Sequence, residues 1–389
     1  MIRACPVCGS VGARETLHRQ RFLDGPLGTG YDVVVCGSCG AGFADGIPGQ
    51  ADLDRYYAER SKYEYAERDG AESPYDFKRF NAIVEQVMPF APSRHLSILD
   101  VGCATGGLLA CFAQRGYTRL LGSDPSPACV AAAQKLHGIE VKPATVAELG
   151  RWEERFDLIL LVGVLEHLRD VGPAVEIVSR LLTPDGLVYC AQPDVEAFAR
   201  CHNSPFQQFS IEHVNFFSEQ SLVRLMGRGQ LARKEMWRWM IEWREGVTDS
   251  VVSGLFHRTA GLPEAAFDHG TRDALQQYIA QCLGSDRRLL PVIDELVLSR
   301  EPVLIWGAGT LARRLLSSTR LAEANITGFV DTNPHMQGKR LAGREIFAPE
   351  QIIGHTEAIV ICSKAFEREI IAMIRTQLRL PNSLKTLPY

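Results

Sequence analysis

No run of the 389 residues is apolar for long enough to cross a bilayer, which takes about 20 consecutive apolar residues. The opening Met1-Ile-Arg-Ala-Cys-Pro lacks the charged-then-apolar order of a secretory leader. These absences lead us to expect a cytoplasmic chain with no membrane partner. A surplus of positive charge is also missing: 42 Lys and Arg face 46 Asp and Glu, a formal charge of −4. That leaves no global electrostatic case for nucleic acid. Arg3, Arg14, Arg19 and Arg21 stand near the N-terminal cysteines without the dense basic and aromatic interleaving of a strand-binding surface. Composition is otherwise ordinary for a globular protein, 46% hydrophobic and 23% charged, and the length suggests two or three domains. Eleven cysteines in a cytosolic chain read as metal ligands or free thiols rather than disulfides.

What the chain does have is a strong organising stretch at 98–116, Ile-Leu-Asp-Val-Gly-Cys-Ala-Thr-Gly-Gly followed by a helical pattern from Leu108 to Gln114. An apolar strand ends at Asp100, and glycines at 102, 106 and 107 remove side chains where a ligand must approach the backbone. A strand, a glycine turn and a helix N-terminus together offer backbone N–H groups to a nucleotide-like ligand. The next strand ends at Asp124-Pro125, where an acid suits a ribose diol. Phe156 to Val162 is a third strand, and Gly163-Val-Leu-Glu166-His167 is expected to open a helix. Arg180-Leu-Leu-Thr-Pro-Asp-Gly186 reads as a turn into another strand.

This succession resembles the class I S-adenosylmethionine-dependent methyltransferases. Asp100, Gly102 and Gly106 match that family's first motif, with Cys103 inside the turn, and Asp124, followed by Pro125, matches its ribose-binding acid. The resemblance implies that Thr145 and Val146 hold the adenine edge, although the family's usual Asp is absent there, and that Val162 borders the cofactor.

At the N-terminus, Cys5-Pro-Val-Cys8 and Cys36-Gly-Ser-Cys39 are two Cys-x-x-Cys knuckles. Four sulfurs suit a closed, structural tetrahedral zinc ion. Residues 52–67 start as a helix rich in tyrosine, and 74–87 reads as an amphipathic helix ended by Pro89 and Pro92. Past the core, Gln207 to Ser218 gathers Glu212, His213 and Asn215 in one loop before a helix N-capped by Ser218. Trp237, Trp239 and Trp243 fit a half-buried strand, and 268–298 one long helical pattern broken near Gly284 or Pro291. The tail repeats a strand, a Gly307-Ala-Gly309 turn and a helix, with Asp331 at dinucleotide spacing. Only about 90 residues remain there, so a half-Rossmann module, structural or binding the substrate's nucleotide, is favoured over an NAD site.

Taken together, the three parts resemble the bacterial C-methyltransferases that act on nucleotide-linked deoxysugars in antibiotic pathways. The likeness rests on the four cysteines, the Asp100 turn, Val164-Leu-Glu-His167 and Glu212-His-Val-Asn-Phe-Phe-Ser218. The tail departs from the group's usual Gly-Tyr-Gly-Ala, having Trp306-Gly-Ala-Gly-Thr-Leu-Ala-Arg-Arg instead. The resemblance implies His213 as a catalytic base, with Glu212 beside it and His167 and Tyr63 as partners. A base suits the chemistry, because a carbon beside a ketone must lose a proton before it can accept a methyl group. The expectation is therefore an α/β fold: a zinc-binding module over 1–60, a class I methyltransferase core with a Rossmann-like sheet over 61–235, and a C-terminal module over 236–389 whose end is a Rossmann-like half domain. The expected cofactors are S-adenosylmethionine and structural zinc, and the expected partner is a small nucleotide-sugar substrate. Alternatives are an O- or N-methyltransferase of a small metabolite, an NAD-binding oxidoreductase and an RNA-modifying methyltransferase.

Overall fold

The computed structural model describes residues 3–59, 71–261 and 266–389. From the N-terminus, β1 (Arg14–Arg21), β2 (Gly30–Cys36) and β3 (Gly42–Asp45) lead into α1 (Gln50–Glu59). Helix α2 (Pro74–Val87) begins where its sequence dictates. The Ser73 hydroxyl accepts from the Asp76 N–H, the Asp76 carboxylate accepts from the Ser73 N–H, and Pro74 supplies a preset φ. The apolar face of this helix buries Ile83, Val84 and Val87.

The core then alternates strand and helix. Its elements are β4 (Ser97–Val101), α3 (Gly107–Ala113), β5 (Arg119–Asp124), α4 (Pro127–His137), β6 (Val141–Pro143), α5 (Val146–Leu149), β7 (Phe156–Val162), α6 (Val171–Arg180) and β8 (Leu182–Pro193). A two-residue strand β9 (Asn215–Phe216) and α7 (Glu219–Gly227) follow, then the long ribbon β10 (Leu231–Arg244) and β11 (Val247–Arg258). Seven strands form one sheet in the order β10-β11-β8-β7-β4-β5-β6. All neighbours from β6 to β8 are parallel, and β11 enters antiparallel between β8 and β10. This is the class I methyltransferase topology. The chain leaves β4 toward β5 and later returns on the other side as β7, so a ligand crevice falls at the carboxyl ends of those strands.

Two differences from the sequence reading have physical causes. The methyltransferase sheet does not end near residue 235, because β10 runs through that position as one continuous strand paired along β11. Glu166 and His167 do not open a long helix either. They lie in a single 3-10 turn, Leu165–His167, and α6 starts only at Val171.

The tail contains α8 (Gly270–Ser299), continuous although Pro291 lies inside it, then β12 (Val303–Trp306), α9 (Thr310–Ser318), β13 (Ile326–Val330), β14 (Arg340–Leu341), β15 (Arg344–Phe347), β16 (Ala358–Ile361), α10 (Glu367–Ala372) and β17 (Leu384–Thr386). Its sheet runs β14-β15-β13-β12-β16-β17, parallel except at the β14 edge, which makes it a Rossmann-like sheet wound about β12.

The chain divides into two compact units. One comprises 1–17, 33–201 and 213–275; the other comprises 18–32, 202–212 and 276–389. In the first, Cys5, Val7, Cys36, Cys39 and Phe43 share one apolar core with Leu99, Val101, Ile159 and Leu161 of the methyltransferase sheet. Trp237, Trp239 and Trp243 pack, half-buried, against the core on the sheet's other side. Among the described residues no helix is long and apolar enough to cross a membrane.

Candidate active site

The glycine turn after β4 is shaped by positive φ angles at Gly102 (69°), Ala104 (48°) and Gly106 (84°). At Gly102 a side chain would also clash, since a Cβ there would meet Val164 Cγ2 at 2.8 Å. The turn therefore packs directly on the segment that follows β7. Asp124 closes it: its Oδ2 accepts from Ala104 N at 2.9 Å and its Oδ1 accepts from Ser126 N at 2.9 Å. Asp100 is buried at the end of β4, and burial, reinforced by the nearby Asp124 charge, pushes its pKa up to about 8.

The other candidates of the turn divide by what their side chains do. The Cys103 thiol points into the core, where a Cβ on Gly122 of β5 would meet it at 2.5 Å, while its N–H donates to Ser123 O at 3.0 Å and its carbonyl accepts from Gly106 N at 2.9 Å. Pro125 follows Asp124 at the rim, and Val162 is the last residue of β7. Thr145 is the N-cap of α5, with its hydroxyl engaged by the Glu148 N–H and carboxylate; Val146 packs partly buried on the core.

Beside the turn, three titratable groups converge. Ligand-type atoms of Glu166, His167 and His213 all lie within 4.8 Å of one another. The two imidazoles meet edge to face at 5.0 Å between centroids. His167 Nε2 lies 3.9 Å from Glu166 Oε1, and its Nδ1 lies 2.8 Å from the Tyr57 hydroxyl. Glu166 is buried, and His167 and His213 are half-buried. The structure thus brings together His167 and His213, and the carboxylate of this cluster is Glu166; Glu212 is not a member. Tyr63 lies outside the described residues. Sequence reasoning passed over Glu166 and Tyr57, although the Glu166-His167 pair and the tyrosine-rich helix were both visible as signals. Such a cluster can abstract a proton, hold the resulting imidazolium and donate a hydrogen bond to a developing oxyanion.

The knuckle cysteines also converge. The sulfurs of Cys5, Cys8, Cys36 and Cys39 lie within 4.8 Å of one another, with Cys5–Cys39 and Cys8–Cys36 each at 3.7 Å. A tetrahedral ion with bonds of about 2.3 Å to sulfur needs edges of about 3.8 Å, so these residues fit zinc. The backbone has knuckle form: Gly9 N donates to Cys5 O and Gly40 N to Cys36 O, both at 2.8 Å, with φ positive at each glycine.

In the tail, Asp331, the acid at dinucleotide spacing, holds its own turn. Asp331 Oδ2 accepts from Ala308 N at 2.8 Å and its Oδ1 accepts from Asn333 N at 2.9 Å. The buried Arg313 donates from Nε to Ala308 O at 3.0 Å.

Residues 75–232 match the family described as "Methyltransferase domain", and residues 299–381 the family described as "C2185-like, N-terminal". The C-methyltransferase NovU of Streptomyces niveus is 30% identical over 285 residues, covering 66% of this chain and 64% of its own length. The ubiquinone biosynthesis O-methyltransferase of Azorhizobium caulinodans is 34% identical over 103 residues, 25% of this chain and 40% of that one. The chain thus spans less than half the length of the ubiquinone O-methyltransferases it matches. The magnesium protoporphyrin IX methyltransferase of Synechocystis, solved with bound S-adenosylmethionine, is 13% identical with a TM-score of 0.40, and the match covers 54% of this chain and 97% of that one. The family match and the strand order agree: residues 75–232 belong to a methyltransferase domain with the class I strand order.

Proposed function

We propose that the whole chain is an S-adenosylmethionine-dependent C-methyltransferase that methylates a carbon beside a ketone on a nucleotide-linked deoxysugar. The observation that carries this reading is the Glu166–His167–His213 cluster beside the glycine turn. An oxygen or nitrogen acceptor needs little beyond positioning, whereas a carbon acceptor needs a base and an oxyanion donor. The likeness to NovU, named a C-methyltransferase, supports the carbon acceptor, and the motif resemblance supports the sugar.

Bound along the Gly102–Gly106 turn, with its ribose on Asp124, S-adenosylmethionine supplies an electrophilic methyl on a sulfonium. His213 takes the proton from the acceptor carbon, and the C–H electrons pass into an enolate. The enolate carbon would then take the methyl group as the sulfonium S–CH3 bond breaks, the bond's electrons staying on sulfur and S-adenosylhomocysteine leaving. His167, hydrogen-bonded to Tyr57 at Nδ1, donates from Nε2 to the enolate oxygen in this reading. Glu166 faces the imidazole pair and favours the charge that forms on it. The proton on His213 leaves to solvent after transfer. Zinc on the four thiolates has no open position, so its part is structural.

The test is His213→Asn with a nucleoside-diphosphate ketodeoxysugar. Cofactor affinity should hold while turnover falls about 100- to 10,000-fold, the worth of a positioned acid or base. The wild type should exchange the hydrogen alpha to the ketone with heavy water, and the variant should not. No carbon-bound exchange under any condition would instead favour O- or N-methylation.

A further inference from the structure

Through one side chain the N-terminal arm reaches the segments that flank the Glu166–His167–His213 cluster. Arg3, two residues before the first cysteine, is 3% exposed. Its Nη1 donates to Ala44 O at 3.3 Å and to Val214 O at 3.1 Å. Its Nη2 donates to Leu168 O at 3.4 Å, to Arg169 O, and to Asn215 Oδ1 at 2.9 Å. Those acceptors belong to three separate pieces of chain: the end of β3, the residues after the His167 turn, and the residues after His213. Asn215 completes the knot by donating from Nδ2 to Leu165 O at 2.6 Å and Leu168 O at 2.7 Å.

The backbone makes the same connection. Strand β9 is the fourth strand of the cysteine module's sheet, ordered β1-β2-β3-β9, with Phe43 paired to Asn215. Val214 N donates to Glu166 O at 2.8 Å, and Ala44 N donates to Val214 O at 3.0 Å. The arm itself is fixed from outside: Arg3 N donates to Asp45 Oδ1 at 2.8 Å, and Arg14 donates to Arg3 O at 2.6 Å. A planar guanidinium, with five donors in a rigid fork, suits a site where carbonyls converge from different segments.

We propose that Arg3 is a positioning residue that holds His167 and His213 at working separation, and that the cysteine module serves the active site through it. The proposal rests on the reading that these imidazoles do the chemistry, but its test does not. Arg3→Ala is made in the full chain and compared with Arg3→Lys, which keeps the charge and three donors. In Arg3→Ala the zinc content and the affinity for S-adenosylhomocysteine should match wild type. Amide hydrogen exchange in 164–169 and 213–217 should quicken about tenfold, the factor that one or two lost net hydrogen bonds allow. The nitrogen resonances of His167 and His213 in histidine-labelled protein, identified through His167→Gln and His213→Asn, should shift together, and Arg3→Lys should restore part of the change. Wild-type exchange and unshifted imidazole signals in folded Arg3→Ala would overturn the proposal, as would loss of zinc from that variant, which would route the effect through the metal. Should Arg3→Ala not fold, Arg3→Lys is read alone: intermediate exchange at both segments supports the proposal, and wild-type exchange overturns it. Normal turnover in His213→Asn would remove the catalytic reading and leave these structural readouts standing.

Discussion

Cofactor affinity should depend on pH through Asp100. Burial and the Asp124 charge push the pKa of this carboxyl up to about 8, so near pH 7 most of it is neutral. S-adenosylmethionine brings positive charge to the adjoining turn, which favours the carboxylate. A drop of about two units on binding makes affinity rise about 25-fold from pH 6 to pH 8, roughly 2 kcal/mol, with release of about 0.8 proton near pH 7. The sign in the free protein is opposite. A carboxyl whose folded pKa lies above its unfolded value contributes stability that is complete below about pH 4 and lost as pH rises through about 8. The free chain should therefore lose part of its stability across that window, and cofactor should offset the loss. The assay is calorimetric titration without acceptor, repeated in buffers of different ionisation enthalpy to count protons. Asp100→Asn is the control and should bind with little pH dependence and without that proton release. Equal proton release in variant and wild type, or a flat affinity from pH 6 to pH 8 in wild type, would refute the argument.

Two further outcomes follow from the same geometry. Elemental analysis of reduced, purified protein should find one zinc ion per chain; Cys39→Ser should lose it together with thermal stability, because binding to a closed four-sulfur site is also folding free energy. Zinc-free protein that melts at the wild-type temperature would count against the metal. Asp124→Ala should weaken cofactor binding by about 1.5–3 kcal/mol, the range for hydrogen bonds to charged groups, and unchanged affinity in the same calorimeter would remove Asp124 from the site.

Much of the local structure was legible because local rules decide it. Ser73, Pro74 and Asp76 fix the start of α2, Ser218 caps α7, and the alternating tryptophans mark β10. The four cysteines converge as their spacing implies. What stayed hidden depends on distant partners. Strand β9 has two residues and no periodicity to read, yet its pairing with β3 places the residue after Val214 in the cysteine module's sheet. Glu166 could be taken for a helix-starting acid until the turn at Leu165–His167 set it beside His213. Arg3 carries no sequence signal, since its value comes from carbonyls up to 211 positions away. In the tail, Asp331 binds the backbone of its own turn through both oxygens, the same arrangement that Asp124 shows after β5.

The division into two units has a consequence for how the chain is made. Each unit is assembled from three separate stretches, and the stretches alternate along the sequence. During synthesis residues 18–32 emerge early, while most of their unit, 276–389, emerges last. The first unit likewise stays incomplete until 213–275 have appeared, although its central strands were made long before. Maturation therefore cannot proceed by finishing one domain and then starting the next, as in chains built of consecutive domains. Half-made chains should expose unpaired strand edges and depend on holding factors. Neither unit can be excised by a single cut, so moving either one between relatives would require moving three stretches at once.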